Sequence, residues 1–305
     1  MRNNSTLPYL ALLVGICGLA MTAIFVRWAA APGTVTAFYR MLIAGLGLTP
    51  FVLIFARKEL AGLKRGWWVF VLGGIFLAVD HSLLNLGVQY SRIANAALLN
   101  NIAPLWVALF AFFAWRERLK PGFWIGLGLA LFGAVFILSS DLFAHPSLSL
   151  GDLLALASSV FYAGYYIATQ RARERLSALV YIWLVVWISA VLLLIFNLGA
   201  GFPLGGYSTS TYLSFLGVGL VSQAVGYLSV AFALGKLPAS VVSPTMIIQQ
   251  ALTAFLAIPF TGEQLSPVQI LGGICVLVGV YCVNHFQKKP EKTPTAIPEP
   301  SLSGD

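Results

Sequence analysis

The chain has 305 residues, of which only 9% are Asp, Glu, Lys or Arg, whereas 59% are hydrophobic. Soluble domains carry about 25% charged residues, so these charges are too few to cover a water-soluble globule. The composition therefore excludes a soluble enzyme and a disordered chain. The formal net charge is +8, but the basic residues are scattered between apolar runs and form no stripe typical of nucleic-acid binding.

Ten apolar stretches are long enough to cross a membrane, which takes about 20 residues in a helix. In chain order they are residues 8–27, 33–56, 66–89, 93–115, 121–140, 150–170, 178–198, 209–233, 239–260 and 266–286. The first stretch could be mistaken for a signal peptide. Its apolar run is too long and only Arg2 precedes it as a basic residue, so we predict a retained span.

The distribution of Lys and Arg predicts that both termini lie in the cytoplasm. With the amino terminus inside, 15 of the 18 basic residues fall in inner loops or the tail, and only Arg27 and Arg92 fall outside. Cytoplasmic loops are enriched in Lys and Arg, so we expect a multi-pass protein of the cytoplasmic membrane. Residues 289–305 are polar and rich in proline, and we predict a disordered cytoplasmic tail there.

The sequence repeats itself at an offset of 146 residues. The offset aligns Glu117 with Glu263, Leu119 with Leu265, Pro121 with Pro267, Gly126 with Gly272, and Gly133 with Gly279. The chain is thus predicted to contain two halves, 1–144 and 147–288, with five spans each. Because five is odd, the second half enters the membrane from the opposite face. Inverted repeats are typical of secondary transporters, which bind substrate near the midplane between the halves.

The segment Ile93–Leu99 (IANAALL) and the residues after it resemble the EamA domain of the drug/metabolite transporter superfamily. These later residues are Pro104-Leu105, Glu117-Arg118-Leu119, Gly126 and Gly133. The resemblance implies ten helices in a 5+5 inverted arrangement and, often, export of amino acids or other metabolites. The family's second half usually repeats the proline, but Gln250 stands opposite Pro104. The nearest proline is Pro244, so we expect the kink of the ninth helix to be displaced by about two turns. Pro104 and Pro244 are the predicted hinges, because proline breaks helix hydrogen bonds.

Three ionisable side chains lie well inside the predicted spans: Arg40, Asp80 and His81. Such groups are costly in lipid and are usually paired or functional. Arg40 and Asp80 fall at similar depths, so one interpretation is an ion pair that pins the second span to the third. In the other interpretation, Asp80 or His81 binds a substrate ammonium group or relays a proton.

A second set of candidate binding residues is uncharged and lies near the middle of the spans. Its members are Asn101, Tyr162, Tyr166, Gln223, Gln249 and Gln250. Tyr162 and Tyr166 are four residues apart and share one helix face. The amides either hold helices together or line a central cavity, with the tyrosines as an aromatic wall.

The sequence therefore predicts an all-α integral membrane protein that transports small metabolites, most simply as a monomer. It has no HExxH, GxSxG or Walker motif, so we expect neither an enzyme nor an ATP-driven pump. Its cysteines and histidines form no metal-site pattern, and no cofactor is expected. A single embedded arginine disfavours strongly anionic substrates, so amino acids are the first expectation. The alternatives are a permease for drugs or other metabolites and a facilitator-type channel without proton coupling.

Overall fold

The computed structural model describes residues 6–60, 67–91, 93–138, 149–261 and 266–287. Within these ranges the regular secondary structure is helical, and ten helices are long and apolar enough to span a membrane. They are α1 (Thr6–Ala29), α2 (Gly33–Phe55), α3 (Trp67–Tyr90), α4 (Asn95–Phe113), α5 (Pro121–Leu138), α6 (Leu150–Ala172), α7 (Ala178–Gly199), α8 (Thr209–Leu234), α9 (Ala239–Phe260) and α10 (Pro267–Phe286). A short helix, Arg57–Leu60, follows α2. The all-helical class and the ten predicted spans are confirmed, whereas the predicted tail lies outside the described residues.

The surface around the bundle is apolar. Large side chains that are mostly exposed there include Ile54, Phe55, Phe113, Ile125, Leu213 and Tyr281. A soluble protein rarely exposes apolar patches on this scale, whereas lipid tails solvate them. The backbone polar groups are bonded inside the helices, as the hydrocarbon interior of a membrane requires.

Helices α4 and α9 are interrupted at equivalent places. The break in α4 lies at residues 101–102, and the break in α9 lies at residues 246–247. At the 146-residue offset the two breaks fall within one residue of each other, so the expected displacement of the α9 kink is wrong. Pro104 begins the second segment of α4, a position where helices tolerate proline. Pro244 lies near the end of the first segment of α9. The two helices are thus interrupted at the same place, although the proline follows the break in α4 and precedes it in α9.

Helices α1 and α8 are also irregular where they meet. The α1 helix is interrupted at Met21, and the centre of α8 is a π-helix, Val218–Tyr227. From this π-helix, Ser222 Oγ donates to the carbonyl oxygen of Gly18 at 2.8 Å. Such wide helical segments are rare and are frequent at functional sites, so the middle of α8 is a place to look for one.

The two halves pack with inverted symmetry. Helix α3 packs along α6, and α1 packs along α8. Each helix of the first half is equivalent to the helix five positions later, so α3 is equivalent to α8 and α1 to α6. Replacing each helix by its equivalent therefore turns the pair α3–α6 into the pair α8–α1. The pairs α2–α7 and α5–α10 each join a helix to its own equivalent. Because each half has five spans, equivalent helices cross the membrane in opposite directions.

Helices α5 and α10 approach each other at the glycines that repeat at the 146-residue offset. A Cβ atom at Gly126 would lie 2.7 Å from the carbonyl oxygen of Gly279, and one at Gly133 would lie 2.6 Å from that of Gly272. No side chain fits at these distances, so these glycines allow α5 and α10 to pack closely. This contact joins the two halves away from the centre of the bundle.

Candidate functional site

A cavity of about 310 Å³ lies in the middle of the bundle and is lined by α1, α2, α3, α4, α6, α8 and α9. Helix α1 begins, and α10 ends, on one side of the bundle. The lining residues of α1, α2 and α3 lie in the half of each helix nearer the opposite side: Val26 is close to the end of α1, and Gly33 begins α2. The cavity therefore occupies the membrane half opposite the termini and reaches the middle of the bundle. Its volume suits a small metabolite.

Seven of the eight predicted binding or coupling residues line this cavity. They are Asp80, His81, Asn101, Tyr162, Tyr166, Gln249 and Gln250. Arg40 and Pro104 line it too. Gln223 is fully buried next to Arg40, and Pro244 is buried in α9 outside the lining. The structure thus brings most of the predicted set to one place, and what these residues bind stays a prediction.

The predicted ion pair between Arg40 and Asp80 is not formed. Arg40 Nε donates instead to Gln223 Oε1 at 2.6 Å, and its guanidinium lies 5.3 Å from the centre of the Tyr227 ring. Within the described ranges, no carboxylate lies within 4 Å of the Arg40 side chain. The reason is that the π-helical segment of α8 supplies an amide and an aromatic face to the guanidinium, while other neighbours engage the carboxylate.

The Asp80 carboxylate is held by α4 and by its own helix. Its Oδ1 accepts from Asn100 Nδ2 at 3.0 Å, and its Oδ2 lies 3.3 Å from His81 Nδ1. Asn100 Nδ2 also donates to Ser158 Oγ of α6 at 2.9 Å. His81 Nδ1 lies 3.0 Å from the carbonyl oxygen of Leu77, and because a carbonyl only accepts, Nδ1 carries a proton. A carboxylate beside an imidazole is suited to binding a cation or passing a proton.

The amides of α9 connect it to the first half. Gln250 Nε2 donates to Asn101 Oδ1 at 3.0 Å, which joins α9 to α4 beside their breaks. Gln249 Nε2 donates to the carbonyl oxygen of Leu19 at 3.3 Å, just before the interruption of α1. These amides therefore both line the cavity and hold helices together, so the two interpretations of them are compatible.

An aromatic wall closes the deep end of the cavity. Tyr166 donates its hydroxyl to that of Tyr162 at 3.0 Å, with the ring centres 4.9 Å apart. Tyr227 of α8 lines the same end. Tyr165 is fully buried behind the wall, with its ring centre 5.6 Å from that of Tyr227. The wall offers apolar faces together with hydroxyl groups.

Several polar residues that line the cavity were not expected from the sequence, among them Asn85, Tyr227 and Thr36. Each of these three lies four residues from a polar side chain that the sequence did single out. Asn85 follows His81 and donates to its carbonyl oxygen at 2.6 Å, Tyr227 follows Gln223, and Thr36 precedes Arg40. Because residues four apart share a helix face, a four-residue step from each embedded polar group is the signal that finds them.

Contacts between the halves close the side of the bundle that carries the termini. Ser240 Oγ, at the start of α9, donates to Glu117 Oε2 after α4 at 2.7 Å. Within the second half, Gln287 Nε2, after α10, donates to the same Ser240 Oγ at 2.9 Å. The Glu59 carboxylate, after α2, accepts from the backbone N–H of Ser177 before α7. The two halves are thus joined by polar contacts at this end.

Arg173, just after α6, makes a contact within the second half at the same end of the bundle. Its Nε donates to the carbonyl oxygen of Ala231 in α8 at 3.0 Å. Burial lowers the pKa of the Arg173 guanidinium, and the negative charge of Glu59 partly opposes that shift. In the part of the chain that the structure describes, no three His, Cys, Asp or Glu side chains are grouped to hold a metal ion.

The fold and the cavity together define a class of protein. Two inverted five-helix units around a cavity that reaches the middle of the bundle are the architecture of secondary transporters. The sequence model of the EamA-like transporter family matches residues 6–139 and again residues 149–285. The chain belongs to the EamA-like transporter family.

Related proteins carry transporter names. The chain is 25% identical over 251 residues to "Uncharacterized transporter YdfC" of Bacillus subtilis (strain 168), covering 82% of this chain and 81% of the relative. It is 25% identical over 218 residues to "Probable terminal-alkyne amino-acid exporter" of Streptantibioticus cattleyicolor, covering 70% of this chain and 71% of the relative. A solved crystal structure matches the fold with a TM-score of 0.80 at 18% identity, covering 92% of this chain and 97% of that chain.

Proposed function

We propose that this protein is a secondary transporter that exports small metabolites, amino acids foremost, across the cytoplasmic membrane. The observation that carries the proposal is a cavity with one guanidinium and one carboxylate at the meeting of two inverted halves. A channel would need a ring of charges or a filter of carbonyl groups, which the described lining residues do not form.

The proposed orientation places both termini in the cytoplasm. Ten spans put the termini on one side, and 15 of the 18 basic residues then face the cytoplasm or belong to the tail. In this orientation the cavity lies in the outer half of the membrane, and the closed end is cytoplasmic. The conformation described is then the outward-facing state of the transport cycle.

The cycle proceeds by alternating access between the two repeats, 1–144 and 147–288. Opening the cytoplasmic end requires separation of Glu117 from Ser240 and of Glu59 from Ser177. Inverted repeats supply a second state in which the packing of the halves is exchanged. The interruptions of α4 and α9 are the hinges in this proposal, because the helix pattern tightens there: Ile102 N–H bonds to Leu99 and Ile247 N–H bonds to Pro244, three residues back instead of four.

Amino acids suit the charge inventory of the cavity. Recognition of a phosphorylated substrate takes several Arg or Lys side chains, and the lining contains Arg40. A zwitterion carries one charge of each sign, as Arg40 and Asp80 do. The name of the Streptantibioticus relative supports export of an amino acid. One chain contains both inverted halves, so a monomer is sufficient.

Proton coupling is the part of the proposal that involves Asp80 and His81. The carboxylate and the imidazole lie side by side in the cavity, so protonation of either changes the charge that a substrate meets. An exchanger or an uncoupled facilitator would use the same cavity without that change.

The test is uptake of labelled L-phenylalanine and L-leucine into proteoliposomes, with and without an imposed pH gradient. We expect saturable uptake that the gradient accelerates, and we expect Asp80→Asn to abolish the acceleration. Glu174→Gln, at an exposed ion pair with Arg171, is the matched control and should behave as wild type. Uptake that ignores both gradient and mutation would indicate a facilitator, and absence of any amino-acid uptake would contradict the proposed substrate.

A further inference from the structure

Arg40 and Gln223 form an incomplete anion site in the wall of the cavity. Arg40 is 7% exposed and Gln223 is 0% exposed. They are joined by the bond from Arg40 Nε to Gln223 Oε1. Beside that bond, Arg40 Nη2 and Gln223 Nε2 are buried, and neither has a hydrogen-bond partner.

Both nitrogens are donors, so what they lack is an acceptor. A buried donor without a partner costs free energy, and the cost is larger when the group is charged. A carboxylate supplies two acceptor oxygens and matches the planar fork of a guanidinium. The two nitrogens are covered in this conformation, so a carboxylate reaches them when Arg40, which lines the cavity, turns toward it.

The protein does not supply this carboxylate itself. Asp80 is engaged by Asn100 and His81 and makes no ion pair with Arg40. A guanidinium stays protonated in proteins, so a positive charge is left in the cavity wall. We propose that the carboxylate of the substrate binds Arg40 and that Gln223 is the positioning residue that aims the guanidinium. This assignment rests on the proposed function, because it requires a substrate in this cavity.

The π-helical segment of α8 is what positions the guanidinium. Gln223 bonds to its edge and Tyr227 lies 5.3 Å away across its face. Both belong to the π-helix Val218–Tyr227 of the second half, whereas Arg40 belongs to α2 of the first half. A movement of one half against the other therefore changes the aim of Arg40, which links carboxylate binding to the conformational cycle.

The inference narrows the substrate class to compounds with a free carboxylate. An α-amino acid presents its carboxylate to Arg40 and its ammonium group to Asp80. The corresponding amide keeps the ammonium group and the side chain but offers no anion to Arg40. The transporter should therefore prefer an amino acid to its amide by about tenfold or more, as expected for loss of a hydrogen-bonded charge.

The experiment compares L-phenylalanine with L-phenylalaninamide in two measurements. The first is competition against labelled L-phenylalanine in proteoliposome counterflow, and the second is the shift in melting temperature of the purified protein. L-Leucine and L-leucinamide form a parallel series for an aliphatic substrate. The variants are Arg40→Gln and Gln223→Glu, with Glu174→Gln as control. Gln223→Glu keeps Arg40 and supplies a resident carboxylate, so it is the variant to use if Arg40→Gln does not fold.

In wild type and Glu174→Gln we expect each amino acid to compete and stabilise, and its amide to do neither at the same concentration. In Arg40→Gln and Gln223→Glu the difference between acid and amide should disappear. A wild-type protein that treats acid and amide alike, or a preference that survives both variants, overturns the inference. Stabilisation by the acids without counterflow would refute the proposed transport of amino acids and leave the carboxylate site standing. Transport of the amino acid without a preference over its amide would support the proposed transport and refute the carboxylate site at Arg40.

Discussion

Helices α3 and α8 occupy equivalent positions in the two halves but differ in backbone and in charge. Each packs along the first helix of the other half. Helix α3 is regular from Trp67 to Tyr90 and carries Asp80 and His81. The middle of α8 is a π-helix that carries no charge and contributes Gln223. At the 146-residue offset, His81 corresponds to Tyr227.

This difference shows that the scaffold is symmetric while the site is not. The glycine contacts and the breaks of α4 and α9 recur in both halves, because helix packing depends on small residues and backbone interruptions. Among the described lining residues, the guanidinium, carboxylate and imidazole groups, of Arg40, Asp80 and His81, come from the first half. The second half contacts Arg40 through the amide of Gln223 and the aromatic ring of Tyr227. If the proposed function is correct, a substrate in the cavity meets the guanidinium, carboxylate and imidazole of the first half and mainly amides and aromatic rings of the second.

The largest effect on stability is expected at the glycine contacts between α3 and α6 and between α1 and α8, which are equivalent helix pairs in the two halves. A Cβ at Gly87 of α3 would lie 2.9 Å from the carbonyl oxygen of Gly151, and one at Gly18 of α1 would lie 3.0 Å from that of Val221. We expect Gly87→Leu and Gly18→Leu each to destabilise the protein by about 1–3 kcal/mol or more. The measurements are the melting temperature in detergent and the yield of monodisperse protein.

Gly128→Leu is the matched control, because a Cβ there would meet nothing within 4 Å. It should retain wild-type stability. If one of the two contact variants behaved like Gly128→Leu while the other unfolded, the α1–α8 and α3–α6 contacts would not be equivalent. The symmetric interpretation of the scaffold would then be wrong.

The sequence predicted the symmetric features better than the asymmetric ones. Spans depend on local hydropathy, and the repeat keeps glycines such as Gly126 and Gly272 at one offset, so both can be read without a structure. The interpretation that pairs Arg40 with Asp80 is wrong because it depends only on the similar depths of the two residues along their spans. Depth along a helix gives no information on which way α2, α3 and α8 are rotated about their axes.

The π-helix is the other reason for that error. An α-helix and a π-helix of the same composition have the same hydropathy, but the wider turn changes which face each side chain occupies. The orientation of Gln223 toward Arg40 therefore depends on a backbone feature that residue spacing does not reveal. The α9 kink was misjudged for a related reason, because the break recurs although Pro104 and Pro244 lie on opposite sides of it.

A smaller effect is expected where the halves meet at the end with the termini. Ser240→Ala removes the donor to Glu117. The loss of one hydrogen bond to a charged group, about 1.5 kcal/mol at a half-buried place, shifts an equilibrium roughly tenfold. We expect the population with this end open to increase. Pulsed electron paramagnetic resonance between labels at the exposed Arg118 and Lys236 measures it, with the three native cysteines replaced.

The control for this measurement is Ser214→Ala, because Ser214 bonds within its own helix, to the carbonyl oxygen of Ser210. Its distance distribution should match that of wild type. A longer distance component in Ser240→Ala alone supports a gate made by contacts between the halves. Identical distributions in both variants would mean that the closure does not depend on this contact.

The smallest expected effect compares single hydroxyl groups of α8 and α3. Ser222 Oγ bonds across to Gly18 of α1 at 2.8 Å, whereas Ser82 Oγ bonds back to Ala78 of its own helix at 2.9 Å. Hydrogen bonds between membrane helices average about 0.6 kcal/mol, so Ser222→Ala should lower the melting temperature slightly. Ser82→Ala should leave it unchanged, since its bond duplicates one that the helix carbonyl already makes. Equal melting temperatures for the two variants would show that the polar contact of the π-helix with α1 does not stabilise the fold.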